Sequence, residues 1–313
     1  MTSKKEGSLK GLGLPPLSDH RLRPDPSAEG MSLAEYLSRE LLIAEDLASD
    51  VIDFGSVQVA GRQERNPGVI VRAGNEIRVC WPHSGPRRHY EVDPLRIIHR
   101  DRFLLAYDKE AGIPSQQTPS DAYNNLFAAL LRYLLKESPS SGYIALHHRL
   151  DRETSGVMLF SVDREANRRL GLAFQRQKLS KDYLAWIAGT PSQDRWVSSE
   201  DIGRKGGRYC TLPKGQGKSA ETSFQVIHRE GDRTLVWARP RTGRTHQIRL
   251  HLAAMGIPVL GDRLYGGPAA ERLCLHAFRL ILPHPDTRAS LTLVAPVPPE
   301  WNLPDSFAMQ GES

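Results

Sequence analysis

Cysteine is scarce in this chain: three in 313 residues, at 80, 210 and 274, with no CxxC pair among them. An odd, scattered count builds neither a disulfide framework nor a zinc site of the usual spacing. Long apolar runs are missing as well, so no stretch reaches the length of a membrane span. The N-terminal MTSKKEGSLKGLGLPPLSDH is basic at first but has no apolar core of the signal-peptide kind. A reducing, cytoplasmic setting is the simplest expectation. The motifs GxxxxGK[ST], GxGxxG and GxSxG are absent, which removes the usual signatures of nucleotide hydrolysis, dinucleotide redox chemistry and the nucleophile elbow. His246 and His251 lie five apart with no acidic residue beside them, so no metal is expected. A glycosidase needs two paired carboxylates, and Glu153, two residues from Asp151 in a loop, has no reason to be the second. No internal repeat is evident.

What is present is positive charge, and it is clustered. Lys and Arg outnumber Asp and Glu by 42 to 36, a mild net +6. Residues 203–218, GRKGGRYCTLPKGQGK, hold five basic residues and no acidic one, and their glycines suggest a flexible basic loop. Residues 229–249 hold six arginines against Glu230 and Asp232. Clustering of this kind favours a polyanionic partner, a nucleic acid, over a merely solvated surface.

Pattern along the chain predicts two ordered regions. Residues 1–29, rich in Gly, Pro, Ser and charge, read as a disordered tail. Residues 30–83 read as a small module: one helix over 31–49, with Leu33, Tyr36, Leu37, Leu41 and Leu42 at helical spacing, then short strands punctuated by glycines. A linker over 84–94 follows, then a large domain over 95–305 and a tail over 306–313. Within the large domain, strands are expected near 103–108 and in VMLFSV, YLAWIAG, TLVWAR and SLTLVAPVP. Helices are expected after Asp121, after Asp163 and over RTHQIRLHLAAMG, where Thr245 starts the helix and Gly256 stops it. Strands outnumber helices and show no βαβ rhythm, so the predicted class is α+β with a mixed or antiparallel sheet.

Three places invite chemistry. In HHRLDRETSG, residues 147–156, Asp151 lies between Arg149 and Arg152, just before a core strand. Neighbouring cations favour an ionised carboxylate, useful as a nucleophile or a base, while an Asp tying down a turn fits the same spacing. In RPRTGRTHQIRLH, residues 239–251, Arg241 and Arg244 occupy a turn leading to a helix start, a place suited to phosphate or to a carboxylate. Tyr183 opens a strand, where it either packs in the core or stacks on a base at the rim of a cleft.

Taken together, HRLDRETSGVMLFSVD, SKDYLAWIAG, TGRTHQIRLHLAAMGIPVLGDRLYG, and LCLHAFRLILPHP followed by LTLVAPVP resemble, in order, the motifs of pseudouridine synthases of the RluA type. The HRLD form is similar to this branch rather than to the sister branch that reads GRLD. The module at 31–83 resembles the small RNA-binding domain that precedes the catalytic domain in many ribosomal-RNA members. Two departures stand out: Arg39 is surrounded by Glu35, Glu40, Glu45 and Asp46, and KEAG at 109–112 has Glu110 where the family has proline.

The resemblance implies a pseudouridine synthase catalytic domain with a mixed or antiparallel sheet. It implies isomerisation of a flipped-out uridine in RNA, without redox cofactor or ATP. It implies Asp151 as the essential carboxylate, Arg244 as its ion-pair partner and Tyr183 stacked on uracil and helping to remove the ring proton. Arg149 would fill the space left by the flipped base or grip phosphate, with Arg152 and Arg241 as further RNA contacts and Ile248 and Leu250 as apolar pocket walls. Large-subunit ribosomal RNA is the favoured partner, with transfer RNA as the alternative and a monomer as the expected state. A non-catalytic RNA-binding assembly factor with this fold is the competing reading of another class.

Overall fold

The computed structural model describes residues 19–82, 85–138, 142–176, 178–301 and 303. The chain divides into two compact units, residues 1–91 with 116–132, and residues 92–115 with 133–313.

The first unit is built from β1 (His20–Leu22), α1 (Leu33–Leu41), α2 (Glu45–Asp53), β2 (Val57–Val59), β3 (Arg62–Glu64) and β4 (Ile77–Val79). Its sheet has the order β1-β4-β2-β3, and the described pairings within it are antiparallel. Helix α1 starts at a capping box: the Glu35 N–H donates to Ser32 Oγ, and the Ser32 N–H donates to Glu35 Oε2 at 2.7 Å. Leu33, Tyr36 and Leu37 of α1 bury against Val51 and Ile52 of α2 and Val57 and Val79 of the sheet.

Two expectations change here. The single helix predicted over 31–49 is two helices, broken at Leu42, whose φ of 53° is left-handed. The break lets Ile43 turn into the core while Leu42 stays 89% exposed. The tail predicted over 1–29 is shorter, because His20–Leu22 pairs with β4 and Asp25 caps a short 3-10 turn; residues 1–18 lie outside the described residues. The predicted linker over 84–94 straddles the division between Glu91 and Val92, residues 116–132 of the predicted large domain belong to the first unit, and the predicted tail from 306 onward lies outside the described residues.

The second unit is dominated by one ten-stranded sheet. Its first members are β5 (Ile97–Arg100) and β6 (Leu104–Lys109). Helix α3 (Leu126–Glu137) follows in sequence, and the division between the units falls within it. Its N-terminal side chain acceptor is Asn125, whose Oδ1 takes the Ala128 N–H; the predicted cap Asp121 instead accepts the N–H groups of Tyr123 and Asn124. Then come β7 (Ala145–Leu146), β8 (Ser155–Ser161), α4 (Arg164–Gln175), β9 (Ser180–Ala188) and β10 (Arg195–Ser198). Asp163 caps α4 as predicted, accepting from the Ala166 N–H at 2.9 Å.

The chain continues through β11 (Asp201–Lys205), β12 (Arg208–Leu212), β13 (Thr222–Glu230), β14 (Arg233–Pro240), α5 (Gln247–Ala254), β15 (Leu275–Pro283) and β16 (Ser290–Val294). The sheet order is β10-β13-β14-β9-β15-β8-β6-β5, with β16 beside β15 and β7 beside β8. Strands β8 and β15 are parallel and the other described pairings in this sheet are antiparallel, so it is mixed, as predicted. The basic stretch 203–218, predicted as a flexible loop, contains a two-stranded hairpin of β11 and β12. Its turn, Gly206-Gly207, takes positive φ at both residues, the geometry of a tight hairpin.

Strand β8 is buried along its whole length, as a central strand covered on both faces should be. Gly156 in β8 is required by close approach: a Cβ there would collide with the Ala277 carbonyl of β15. Helix α5 lies over one face of the sheet, packing Ile248 and Leu252 against Ala185, Ile187, Val236 and Ala238. Helix α4 contributes Leu170 to a cluster with Leu104, Leu159 and Leu280.

Candidate active site

The loop 147–154, between β7 and β8, carries Asp151 and is clamped from below. Ser115 Oγ donates to the Leu150 carbonyl at 2.7 Å and accepts the Leu150 N–H at 3.0 Å. The Gly112 N–H donates to the Arg152 carbonyl at 2.9 Å. Lys109 is fully buried, and its Nζ donates to the carbonyls of Glu110, Ile113 and Arg152 at 2.7, 2.8 and 3.1 Å. Burial lowers the Lys109 pKa to about 7, with nearby carboxylates opposing the shift. Three carbonyls converging on one amine use all three donors of an ammonium. The segment KEAGIPS therefore acts as a plinth for the Asp151 loop.

Asp151 faces a cleft of about 440 Å³ lined by loop 147–154, β9, the turn before α5 and α5 itself. Its Oδ2 accepts from Arg249 Nη1 at 3.2 Å. Arg249, only 5% exposed, also holds Asp262 in a two-point contact, Nε to Oδ2 at 2.7 Å and Nη2 to Oδ1 at 2.8 Å. Asp262 in turn accepts the Leu264 and Tyr265 N–H groups. The guanidinium is thus fixed by one carboxylate and presented to another, the rigid fork geometry that arginine supports and lysine does not. His246 adds a third contact, its Nε2 lying 3.7 Å from Asp151 Oδ1 and its Nδ1 2.7 Å from the Tyr265 hydroxyl. Burial pulls the His246 pKa down, opposed by the Asp151 charge. His246 reaches this position because it is the N-cap of α5, with a left-handed φ of 56°.

The structure brings together some of the predicted residues and separates others. Asp151, Tyr183, Arg149, Arg241, Arg244 and Ile248 all line the cleft. Tyr183 sits on the α5-facing side of β9, half-buried; burial pushes its phenol pKa up and the Asp151 charge adds to the effect. The phenol therefore stays protonated at neutral pH.

Arg244 is not the ion-pair partner of Asp151. Its side chain bends to the Ser219 carbonyl, Nε to O at 2.9 Å, and it is exposed in the turn before α5. Arg249, one turn into the helix, points inward instead. Arg152 lies outside the cleft lining: it is exposed, its Nε donates to the Gly112 carbonyl and it faces Glu153 at 3.8 Å. Leu250 is also outside it, buried against Ile202 and Ala220. Two residues along a helix are about 200° apart, so Ile248 and Leu250 cannot share a wall. Sequence reasoning gave no role in the site to Arg249, Asp262, His246 or Lys109. A signal for Arg249 was present: an arginine between Ile248, Leu250 and Leu252 is buried, and a buried guanidinium needs carboxylates.

Comparison with known proteins gives a consistent result. A model of the RNA pseudouridylate synthase family matches residues 103–254. An uncharacterized RNA pseudouridine synthase of Aquifex aeolicus is 34% identical over 223 residues, 69% of this chain and 70% of that protein. The ribosomal large subunit pseudouridine synthase D of Nitrosomonas europaea is 28% identical, covering 92% of this chain and 95% of its own. Among solved structures, the human RNA pseudouridylate synthase domain containing 1 superposes with a TM-score of 0.56 at 26% identity, over 71% of this chain and 97% of that one. A carboxylate held by a buried arginine in a basic-rimmed cleft, on a mixed-sheet domain matched in this way, identifies the chain as a member of the RNA pseudouridine synthase family.

Proposed function

We propose that this enzyme converts a uridine of large-subunit ribosomal RNA to pseudouridine, with Asp151 as the carboxylate that drives the reaction. The observation that carries this reading is the Asp262–Arg249–Asp151 chain, which holds one carboxylate oxygen of Asp151 and leaves the side chain facing the cleft. An ionised carboxylate serves either available route, attack on the ribose C1′ or removal of the C2′ proton. In both, the bond between C1′ and N1 of uracil breaks, the freed base turns, and C5 joins C1′, as the Asp151 oxygen departs in the first route or as C2′ takes its proton back from Asp151 in the second, with loss of the C5 proton. The side chain of Arg249 orients the Asp151 carboxylate and places a positive charge beside it.

Tyr183 supplies a flat, neutral ring on which the flipped base stacks, and its protonated phenol is a hydrogen-bond partner rather than a ready anion. Ile248 forms an apolar wall beside it. The exposed Arg149, Arg241 and Arg244 contact the flanking phosphates, where their charge gives binding a steep dependence on salt. Ribosomal RNA is favoured over transfer RNA because the Nitrosomonas relative, whose name specifies the large ribosomal subunit, matches this chain along nearly its whole length. The protein acts as a cytoplasmic monomer and uses no nucleotide cofactor.

The test is a comparison of pseudouridine positions in total RNA from cells with and without this protein. A site lost from large-subunit ribosomal RNA, and restored by the purified protein on transcribed RNA, is the expected result. Loss confined to transfer RNA would overturn the target assignment.

A further inference from the structure

Residues alternate sides along β9, so Lys181 and Tyr183 face the same way, and both line the Asp151 cleft. Lys181 has no ordinary structural role there. Among the described residues its ammonium makes no hydrogen bond and no ion pair, and burial alone pulls its pKa down, with no carboxylate nearby to raise it. Its Nζ lies beside Gly243, where a Cβ would come within 3.6 Å of it. The neighbouring His148 offers no acceptor: its Nε2 takes the Leu159 N–H, and burial holds the ring neutral, with a pKa of about 3. The other His148 nitrogen, Nδ1, is buried without a partner. The Lys181 ammonium therefore faces the cleft and no protein acceptor answers it.

Holding a half-buried ammonium without a protein partner costs stability, and methionine would fill the same volume without the charge. The ligand must supply what the protein withholds. The arginines at the rim are exposed and reach phosphate, whereas Lys181 is half-buried beside Tyr183. When the C1′–N1 bond breaks, its electron pair goes to N1 and spreads over O2 and O4 of the base. The ribose is satisfied by a bond to an Asp151 oxygen or by the electron pair of the departing C2′ proton, so both routes leave the same uracil anion.

We propose that Lys181 donates a hydrogen bond to the detached uracil anion and stabilises the charge that develops on its carbonyl oxygens. No proton is transferred. The ammonium stays charged, the anion's electron pair forms the new C1′–C5 bond as the Asp151 oxygen leaves C1′ or C2′ recovers its proton from Asp151, and the C5 proton leaves to a base. A donor placed beside the position where charge develops lowers the barrier to reaching it. The inference rests on reading this cleft as the uridine site.

The experiment uses the full chain and transcribed large-subunit ribosomal RNA made with uridine or with 5-fluorouridine, whose fluorine stabilises the departing anion; because fluorine replaces the C5 proton, reaction is read on both RNAs as loss of the C1′–N1 bond. Lys181→Met should slow single-turnover reaction of uridine by about 10²- to 10³-fold. RNA affinity should stay within about three-fold, because the missing contact belongs to the transition state. Thermal stability should hold or rise, since a half-buried charge without a protein partner has gone. With 5-fluorouridine the deficit should shrink at least roughly ten-fold, because the better leaving group needs the ammonium less. Lys181→Gln, which keeps a neutral donor, should fall between wild type and Lys181→Met and serves equally if the latter does not fold. An equal deficit on both RNAs, or weaker RNA binding at an unchanged rate, overturns the proposal; the second outcome makes Lys181 a phosphate contact. Asp151→Asn with full activity would remove the uridine-site reading and the proposal with it. An inactive Asp151→Asn beside a fully active Lys181→Met removes the Lys181 proposal alone.

Discussion

Asp262 never touches the cleft by itself, yet its loss should be felt there. Its side chain is fully buried and accepts four hydrogen bonds, two from Arg249 and one each from the Leu264 and Tyr265 N–H groups. Asp262→Ala leaves the guanidinium buried with only the 3.2 Å contact to Asp151, and two backbone donors unanswered. Removing one partner of a buried pair costs about 3–5 kcal/mol. Against a total stability of about 5–15 kcal/mol, that loss is severe. Asp262→Asn is gentler, because Oδ1 still accepts while the new amide opposes Arg249 Nε, and about 2 kcal/mol is expected. Urea unfolding at neutral pH, followed by circular dichroism with the slope held constant, measures both. The second consequence is chemical. An Arg249 freed to swing by an ångström misplaces Asp151, and such errors cost on the order of 10²-fold in rate. Asp262→Asn should therefore lose about 10- to 100-fold in single-turnover rate with RNA affinity little changed. An Asp262→Ala protein that keeps its stability within about 1 kcal/mol, or its full rate, would refute the claim that this carboxylate orients Arg249.

Three further outcomes follow from the same geometry. Arg249→Met should unfold the protein by about 3–5 kcal/mol and abolish detectable product, whereas Arg244→Met should change stability by less than about 0.5 kcal/mol and weaken RNA binding, with a shallower salt dependence; equal effects of the two in parallel unfolding and filter-binding assays would contradict their different positions. Lys109→Met should cost about 2–4 kcal/mol, because three carbonyls under the Asp151 loop lose their donor, and hydrogen exchange should quicken in residues 110–115 and 150–154; unchanged exchange there would mean the plinth is not held by this amine. Burial holds His276 at a pKa of about 3, and it lowers His147 to about 4 and His148 to about 3. The unfolded chain takes up these protons near pH 6.5 and the folded chain does not, so stability is full above 6.5 and falls as the pH drops towards 4. The fully buried His276 alone should contribute a slope of about 1.4 kcal/mol per pH unit in that window, and a flat urea midpoint between pH 7 and 5 would contradict it.

Some of this was legible in the residues and some was not. Runs such as VMLFSV and TLVWAR gave their strands away because a buried central strand is apolar along its length. Asp163 announced its helix because a capping side chain acts on the backbone a few residues away. Features that depend on distant contacts stayed hidden. Nothing local says that 31–49 must break at Leu42, since the break serves the burial of Ile43. The pairing of Asp151 with Arg249 joins residues 98 apart, and the resemblance pointed to Arg244 instead. Asp262 and Lys109 act from beneath the site, and their roles appear only once their partners are known. Leu250, a pocket wall by resemblance, lies two helix positions from Ile248 and so packs against Ile202 and Ala220 instead.

The central claim is that the Asp151 carboxylate, held by Arg249, carries the chemistry. Asp151→Asn keeps the size of the side chain and an oxygen for Arg249 while removing the charge. The decisive measurement is single-turnover pseudouridine formation by this variant on RNA that the wild-type protein modifies, alongside its affinity for the same RNA. The account predicts no detectable product, with affinity within about three-fold of wild type. Product formed at the wild-type rate would contradict it.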